Sequence, residues 1–473
     1  MPIHAPISPL LVAHGLTISV EDLPLPLGVF YVAAAAALVL SFALLVAGLR
    51  APALERREPR PVSPGFERFV RSRALRALPQ LLAILWLVAT LATGLFGATE
   101  SGENAAPNLV FVLGWISLPL MAVLIGRGAL LLHPVAAVAR LGGLREEVPD
   151  VSPERLARLG VWAAWAGLVV FVWLELVYPT ATHVRLLAGL VLLWLVTGVW
   201  VASRVGTRAW VESIDPFGTY VRLLASLSPW GRRADGRLGL RLPLIGANHE
   251  VHPQPGLVPL VTLLIGSVSF DGLTRTGWWQ ERVALASADL SVRGVDAATA
   301  RILFGTFGLV LLLLVVWLLF EGAAWLAGRI GQLDVGSGMR RSAQAFAPSL
   351  LPIALAYVVA HYFSFFVVQV QDLTRYASDP FEQGWNLFGT ADNTLRDLHV
   401  PGGTTVWMVQ VCAIVIGHVV GLLLAHDRAL ELAPRNDDGS PRVGRAALSQ
   451  LPLLCLMLLY TIGGLYFLSE GLA

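Results

Sequence analysis

The sequence predicts an all-α, polytopic integral membrane protein of about ten transmembrane helices with both termini extracytoplasmic. Three observations lead there. The 473 residues are 56% hydrophobic and only 14% charged, against about 25% charged in soluble domains. Repeated apolar runs reach the roughly 18 to 20 residues that a helix needs to span hydrocarbon. The arginines between those runs alternate between dense and sparse loops, as positive-inside sorting requires.

Ten segments carry the apolar pattern: residues 27–49, 78–98, 108–132, 159–178, 183–204, 256–270, 301–328, 347–371, 404–425 and 448–468. The sixth is short, is bounded by Pro253 and Pro255, and holds Pro259 in its first turn. Every basic residue is an arginine, a compositional bias without functional weight. Loops 50–77, 127–158, 205–255, 329–344 and 427–446 hold 26 of the 34, and the alternate segments, including residues 1–26, hold five. This split supports an even helix count and requires the sixth segment to cross.

The chain divides into an extracytoplasmic segment 1–26, a five-helix half 27–204, a cytoplasmic loop 205–255 and a second five-helix half 256–473. Residues 1–13 are signal-like but lack a basic start. Cleavage after Ala13 would leave His14 as a metal-chelating N-terminus. In the long loop, Phe217, Tyr220, Val221, Leu224 and Leu227 recur at helical spacing. They predict an amphipathic helix, either on the inner membrane surface or docked on the cytoplasmic ends of the bundle. The tracts ERREPRPVSP and APRNDDGSPR read as solvated linkers. Five plus five helices is the arithmetic of an inverted repeat, and Pro-rich entries precede the first and sixth segments alike.

Ionisable groups inside hydrocarbon are costly and face a partner or a water-filled cavity. In LPIALAYVVAHYFSFFVVQVQDL, Tyr357 and His361 share a helical face, Ser364 lies about 60° away, and Asp372 returns close to the same face about 16 Å on. Glu175 in VWLELVYP and Asp271 in GSVSFDG sit at the same outer depth, Gln369 and Gln371 flank Asp372, and His14, Glu21 and Asp22 precede the first helix. Thr262, Gly266 and Ser269 make a small polar stripe on the sixth segment. Imidazole with carboxylates suits a divalent ion such as zinc or manganese, with His361, Asp271, Asp372, Glu175 and His14 as ligands. An open position on that ion would activate water. The competing reading leaves the acids interfacial or paired with Arg275 and Arg375, and His361 satisfied by a backbone carbonyl.

Gly417 and Gly421 form a G-x-x-x-G packing face on the ninth segment. Deeper groups (Glu321, His418 and His426, with His249 and His252 at the inner mouth) either cap the helices or form an inner polar path below His361. The outer loop 372–403 carries Phe381, Trp385, Leu387 and Phe388, a lid or lipophilic-substrate surface or else an interfacial belt. Cys412 and Cys455 lie within apolar runs and build no disulfide framework or zinc cluster. No Ser-His-Asp arrangement, phosphate-binding loop, dinucleotide fingerprint, haem motif or H-E-x-x-H pattern is present. A net charge of +2 gives no nucleic-acid footprint.

AHGL followed by DLPLP, then WLELVYP, HPQPGLVPLVTLLIGSVSFDG, AHYFSFFVVQVQDLTRYASDPFEQGWNLFG and GHVVGLLLAHDRAL, together resemble actinobacterial polytopic membrane proteins labelled fenitrothion hydrolase. The resemblance spans most of the chain in order and implies cleavage of a lipophilic phosphotriester. It also implies a signal peptide ahead of AHGL. On this reading His361, Glu175 and Asp271 are catalytic, with His361 as metal ligand or general base. Tyr357, Ser364, Phe381, Trp385 and Phe388 would hold the substrate. The alternatives are an ion-coupled permease with His361 and His418 as rungs, and a non-catalytic subunit that handles metal beside a second membrane protein.

Overall fold

A computed structural model describes residues 25–54, 58–149, 152–336, 338–393 and 401–470. The signal-like stretch, His14, Glu21 and Asp22 lie outside the described residues. Among the described residues, ten helical spans are long and apolar enough to cross a bilayer. They are Leu27–Gly48, Pro64–Phe96, Ala105–Leu141, Pro153–Leu176, Val184–Val205, Leu257–Arg275, Ala297–Gly331, Met339–Ser378, Gly403–Leu432 and Val443–Glu470. The protein is therefore an all-α, multi-pass membrane protein.

The sixth and eighth spans form the centre. About 78% and 72% of their most apolar windows are buried inside the protein, against 17–44% in the other spans. The short, Pro-bounded sixth segment thus crosses as the innermost helix. Its start needs two glycines. Gly256 has φ +82°, and a Cβ there would meet the Trp162 backbone; a Cβ on Gly160, at φ +55°, would collide with the Pro255 carbonyl. L side chains are disfavoured at positive φ and have no room at either contact.

The arginine-rich loops meet on one face of the bundle. Residues Arg60–Pro61 (β1), Trp230–Arg232 (β2) and Leu238–Leu240 (β3) form an antiparallel sheet in the order β1-β3-β2. On the same face Asp427 accepts from the Ala53 and Leu54 N–H groups at 2.6 and 3.0 Å. There too Gln344 donates to the Gln254 carbonyl at 3.1 Å. At the opposite face Arg375 and Tyr376 donate to the Gly102 carbonyl at 2.9 and 3.0 Å.

Two expectations need correction. The third apolar segment does not continue as a helix to residue 132. A π-helical stretch, Asn108–Ser117, precedes the helix Leu118–Ile125, and the chain breaks at Gly126, φ +64°. Pro119 explains the wide turns, because it has no N–H for the Trp115 carbonyl and its ring pushes that turn open. Ser117 then satisfies the Val112 carbonyl with its hydroxyl at 2.8 Å. Second, the helix Pro216–Ala225 does not lie on a membrane surface. Tyr220, Val221, Leu223 and Leu224 are at most 2% exposed, and the residues on all its faces are packed among the spans.

Both departures belong to one feature: two hairpins enter the bundle from the arginine-rich face. The first starts at Gly126, rises to His133 and returns as the helix Pro134–Leu141. The second leaves the same level, where the Thr207 N–H donates to the Arg145 carbonyl at 3.0 Å. It rises through Trp210–Ile214 to Asp215 and returns as Pro216–Ala225. A Cβ on Gly218 would collide with the Val211 carbonyl, so glycine lets the second hairpin close. Both tips abut Trp194, halfway along the 22-residue fifth span.

The G-x-x-x-G face packs as expected. A Cβ on Gly417 would collide with Ala356 and the Pro352 carbonyl, and one on Gly421 with the Ser349 carbonyl. Gly417→Val should therefore destabilise the bundle by about 1–3 kcal/mol. Gly463→Ala, where nothing stands within 4 Å, should be neutral or slightly stabilising. Thermal unfolding in detergent checks the pair.

Candidate functional site

The central helices bring together two residues from distant stretches of sequence. Asp271 lies in the penultimate turn of the sixth span and His361 midway along the eighth, with Nε2 to Oδ2 at 2.5 Å. Arg275, one turn beyond Asp271, places Nη2 3.4 Å from both carboxylate oxygens and 3.4 Å from His361 Nε2. A guanidinium has no lone pair to offer, so the Nε2 proton is directed at the carboxylate. The His361 side chain is 6% exposed, Asp271 14% and Arg275 27%, so the group lies at the edge of the core rather than in solvent.

Glu175 joins through a tyrosine. The Tyr362 ring stands edge-on to His361 at 4.8 Å, and its hydroxyl faces Glu175 Oε1 across 3.5 Å. Glu175 and Asp271 lie within each other's electrostatic reach, and Tyr220 from the second hairpin lies within that of Glu175. Trp115, held by the π-helical stretch, packs on Phe171 and Tyr220 at 4.9 and 5.2 Å and screens this side from lipid.

The expected divalent-metal set does not assemble. Among the described residues no three His, Cys, Asp or Glu side chains converge on one point. Asp372 is paired with Arg375 at 3.0 Å, and Arg275 faces the lone pairs of Asp271 that an ion would use. His14 lies outside the described residues.

A narrow cleft runs beside His361, lined by Ser269, Gly272, Tyr357, Ile414 and Gly464, with a cavity volume of about 10 Å³. That is room for about one water. Of the residues expected to hold substrate, Tyr357 lines the cleft and donates to the Tyr460 carbonyl at 2.5 Å. Ser364 is half-buried and does not line it. Phe381, Trp385 and Phe388 are on the loop that follows the eighth span, with Phe388 70% exposed.

Of the expected inner groups, His418 stands beside the cleft. His418 is fully buried, donates through Nδ1 to the Ile414 carbonyl at 2.8 Å, and has no partner for Nε2 among the described residues. It sits one turn below the cleft-lining Ile414, with its ring 6.1 Å from Tyr357. His426 is instead a clasp: Nδ1 accepts from Gln450 at 2.7 Å, so Nε2 donates to the Leu49 carbonyl at 3.0 Å. Glu321 is buried on the seventh span, and His249 and His252 are exposed.

The sequence reading missed a second buried pair, His133 with Asp215, Nε2 to Oδ2 at 2.8 Å. Its visible signal was the dipeptides His133-Pro134 and Asp215-Pro216, each a hydrogen-bonding side chain ahead of a proline that can open a helix.

Fold and site together define a multi-pass helical membrane protein with titratable pairs inside its bundle. Comparison with protein-family models, with curated proteins and with solved structures returns no match.

Two predictions follow from these contacts. Asp271→Asn and His361→Gln should be coupled by about 0.5–3 kcal/mol in a double-mutant cycle of chemical unfolding. In the outer loop, partial desolvation pushes Asp379 upward, but the N–H groups of Gln383, Gly384 and Trp385 outweigh it and hold the carboxyl below its ordinary value. A depressed carboxylate contributes order above its unfolded value, about 3.9, and loses it as pH falls through the lower folded value. Pepsin cleavage within 379–393 should therefore rise below about pH 4 in the wild type, relative to Asp379→Asn.

Proposed function

We propose that this chain is a proton-coupled transporter of a bacterial cytoplasmic membrane, with the arginine-rich face inward as the positive-inside bias requires. The observation that carries this reading is the His361–Asp271–Arg275 group, held between the two most buried helices and open to a water-sized cleft. With Asp271 and Arg275 charged and His361 neutral the group is uncharged. Uptake of one proton on the imidazole makes it cationic and changes the attraction between the sixth and eighth spans. A charge change between two central helices is the two-state element that coupling needs. Tyr357 and His418 continue the polar line inward from the cleft.

The test uses purified protein in liposomes with an internal pH dye and a clamped membrane potential. Amino acids, organic acids, lipophilic cations and metal ions are added in turn. A transporter gives proton movement with at least one solute, and His361→Gln reduces it at least tenfold. If no solute moves protons, or if His361→Gln moves them as well as the wild type, coupled transport is wrong.

A second reading is hydrolysis of a lipophilic phosphotriester, favoured by one observation: the His361–Asp271 dyad faces a cleft with room for a water. Asp271 would orient the imidazole and His361 would take the proton of the attacking water. This agrees with the family resemblance. It requires the cleft to open, because a phosphotriester far exceeds its volume. Release of nitrophenol from a nitrophenyl phosphotriester, unchanged in His361→Gln, would exclude it.

A further inference from the structure

The tips of the two inserted hairpins meet at His133 and Asp215, whose side chains are 2% and 0% exposed. Asp215 accepts three hydrogen bonds: from His133 Nε2 at 2.8 Å, from Trp194 Nε1 at 2.7 Å and from the Gly218 N–H at 2.7 Å. His133 Nδ1 accepts the Ala136 N–H at 3.4 Å, near the limit of such a bond. That acceptor role puts the ring proton on Nε2, so the imidazole is neutral and the pair carries one net negative charge.

Among the described residues no cationic side chain neutralises that charge. Among the described residues Asp215 makes no ion pair with an arginine, unlike Asp271 with Arg275. The charged groups on the elements around the tips are engaged elsewhere. Arg127 and Arg208, from the bases of the two hairpins, pair with Glu212 at 2.7 and 3.5 Å. Arg222 donates to the Glu212 carbonyl, Arg140 pairs with Glu146, and Arg204 on the fifth span lies over Trp200. Arg73 and Arg76 occupy the first turn of the second span's main helix, on the arginine-rich side. Tyr220, on the returning arm of the second hairpin, and Glu175 lie within each other's electrostatic reach and add no positive charge. The positive ends of two short helices, Pro134–Leu141 and Pro216–Ala225, supply partial compensation only.

We propose that His133 and Asp215 form a second proton-binding site. The proton adds to His133 Nδ1, the weak bond from Ala136 is given up, and the net negative pair becomes a neutral imidazolium–carboxylate pair. A buried net charge is costly and a compensated pair much less so, which is the driving force for uptake. On the transport reading, which this site does not require, it is the station between the arginine-rich face and the His361 group. Tyr220 on the second hairpin, Glu175 and Tyr362 form a chain of neighbouring groups that ends at His361.

The test is nitrogen-15 NMR of the full chain, histidine-labelled, in bilayers. The His133 signal is assigned by its loss in His133→Gln, with the fold of each variant checked by thermal unfolding. The expected result is conversion of His133 from neutral to doubly protonated as pH is lowered from 9 to 4. Asp215→Asn, which keeps the helix cap but removes the charge, should shift the conversion to lower pH. A His133 that stays neutral from pH 9 to pH 4 overturns the proposal, as does a titration indifferent to Asp215→Asn. Proton flux in liposomes is read separately. A titrating His133 in a protein that moves no protons would sink the transport reading and leave this site standing.

Discussion

Everything distinctive about this bundle depends on two helices, the sixth and eighth spans, being enclosed by other helices instead of by lipid. An enclosed helix can carry polar groups that a lipid-facing one cannot, provided that neighbouring helices answer them. Asp271 and His361 answer each other, and Arg275 balances the carboxylate. The contact joins residues 90 positions apart in sequence and ties the two halves of the core at one depth.

The same requirement explains how non-helical backbone reaches the middle of the bundle. Irregular backbone at membrane depth survives only where protein covers it. Here the turn at Asp215 is capped by its own side chain and wrapped by Trp194, Trp210, Phe217 and Phe171. Glycine makes the wrapping close enough, since a side chain at Gly198 would overlap Trp210 and Val135. The π-helical stretch beside it rotates Trp115 onto the same aromatic layer. The hairpins are thus part of the core rather than appendages.

Much of the architecture was legible from residues alone. Apolar length gave ten spans, because crossing hydrocarbon leaves so few alternatives. His361 and Asp271 were legible as isolated polar residues in greasy surroundings. Their pairing was not, because helix rotation about its axis is set by tertiary packing. Arg275 was weighed as an interfacial counter-ion, and its one-turn spacing from Asp271 puts it inside the site. Periodicity failed at Pro216–Ala225. The spacing of Phe217, Tyr220, Val221, Leu224 and Leu227, flanked by arginines, reads as a single apolar face. Gly218 was in fact the close-packing residue, and Thr219 is buried with the rest. Asp372 and His426 show the opposite error: their polarity was real, but it was consumed locally, by Arg375 and by the loop at Leu49.

The two histidine–aspartate pairs differ in one respect that separates their chemistry. The outer pair has a guanidinium within 3.4 Å, a cleft beside it and partial exposure, so in the charge state proposed above it rests neutral and a proton makes it positive. Among the described residues the inner pair has no ion pair with an arginine, its side chains are at most 2% exposed and only helix ends compensate it, so in the charge state proposed above it rests negative and a proton makes it neutral. A positive charge arriving at the first and a negative charge waiting at the second attract through a low-dielectric interior, where such attraction is strong. Glu175, reached through Tyr362, lies within the electrostatic reach of Asp271. Two sites of unlike resting charge on separate pairs of elements are better suited to exchanging a proton than two alike, since loading one lowers the cost of holding charge at the other.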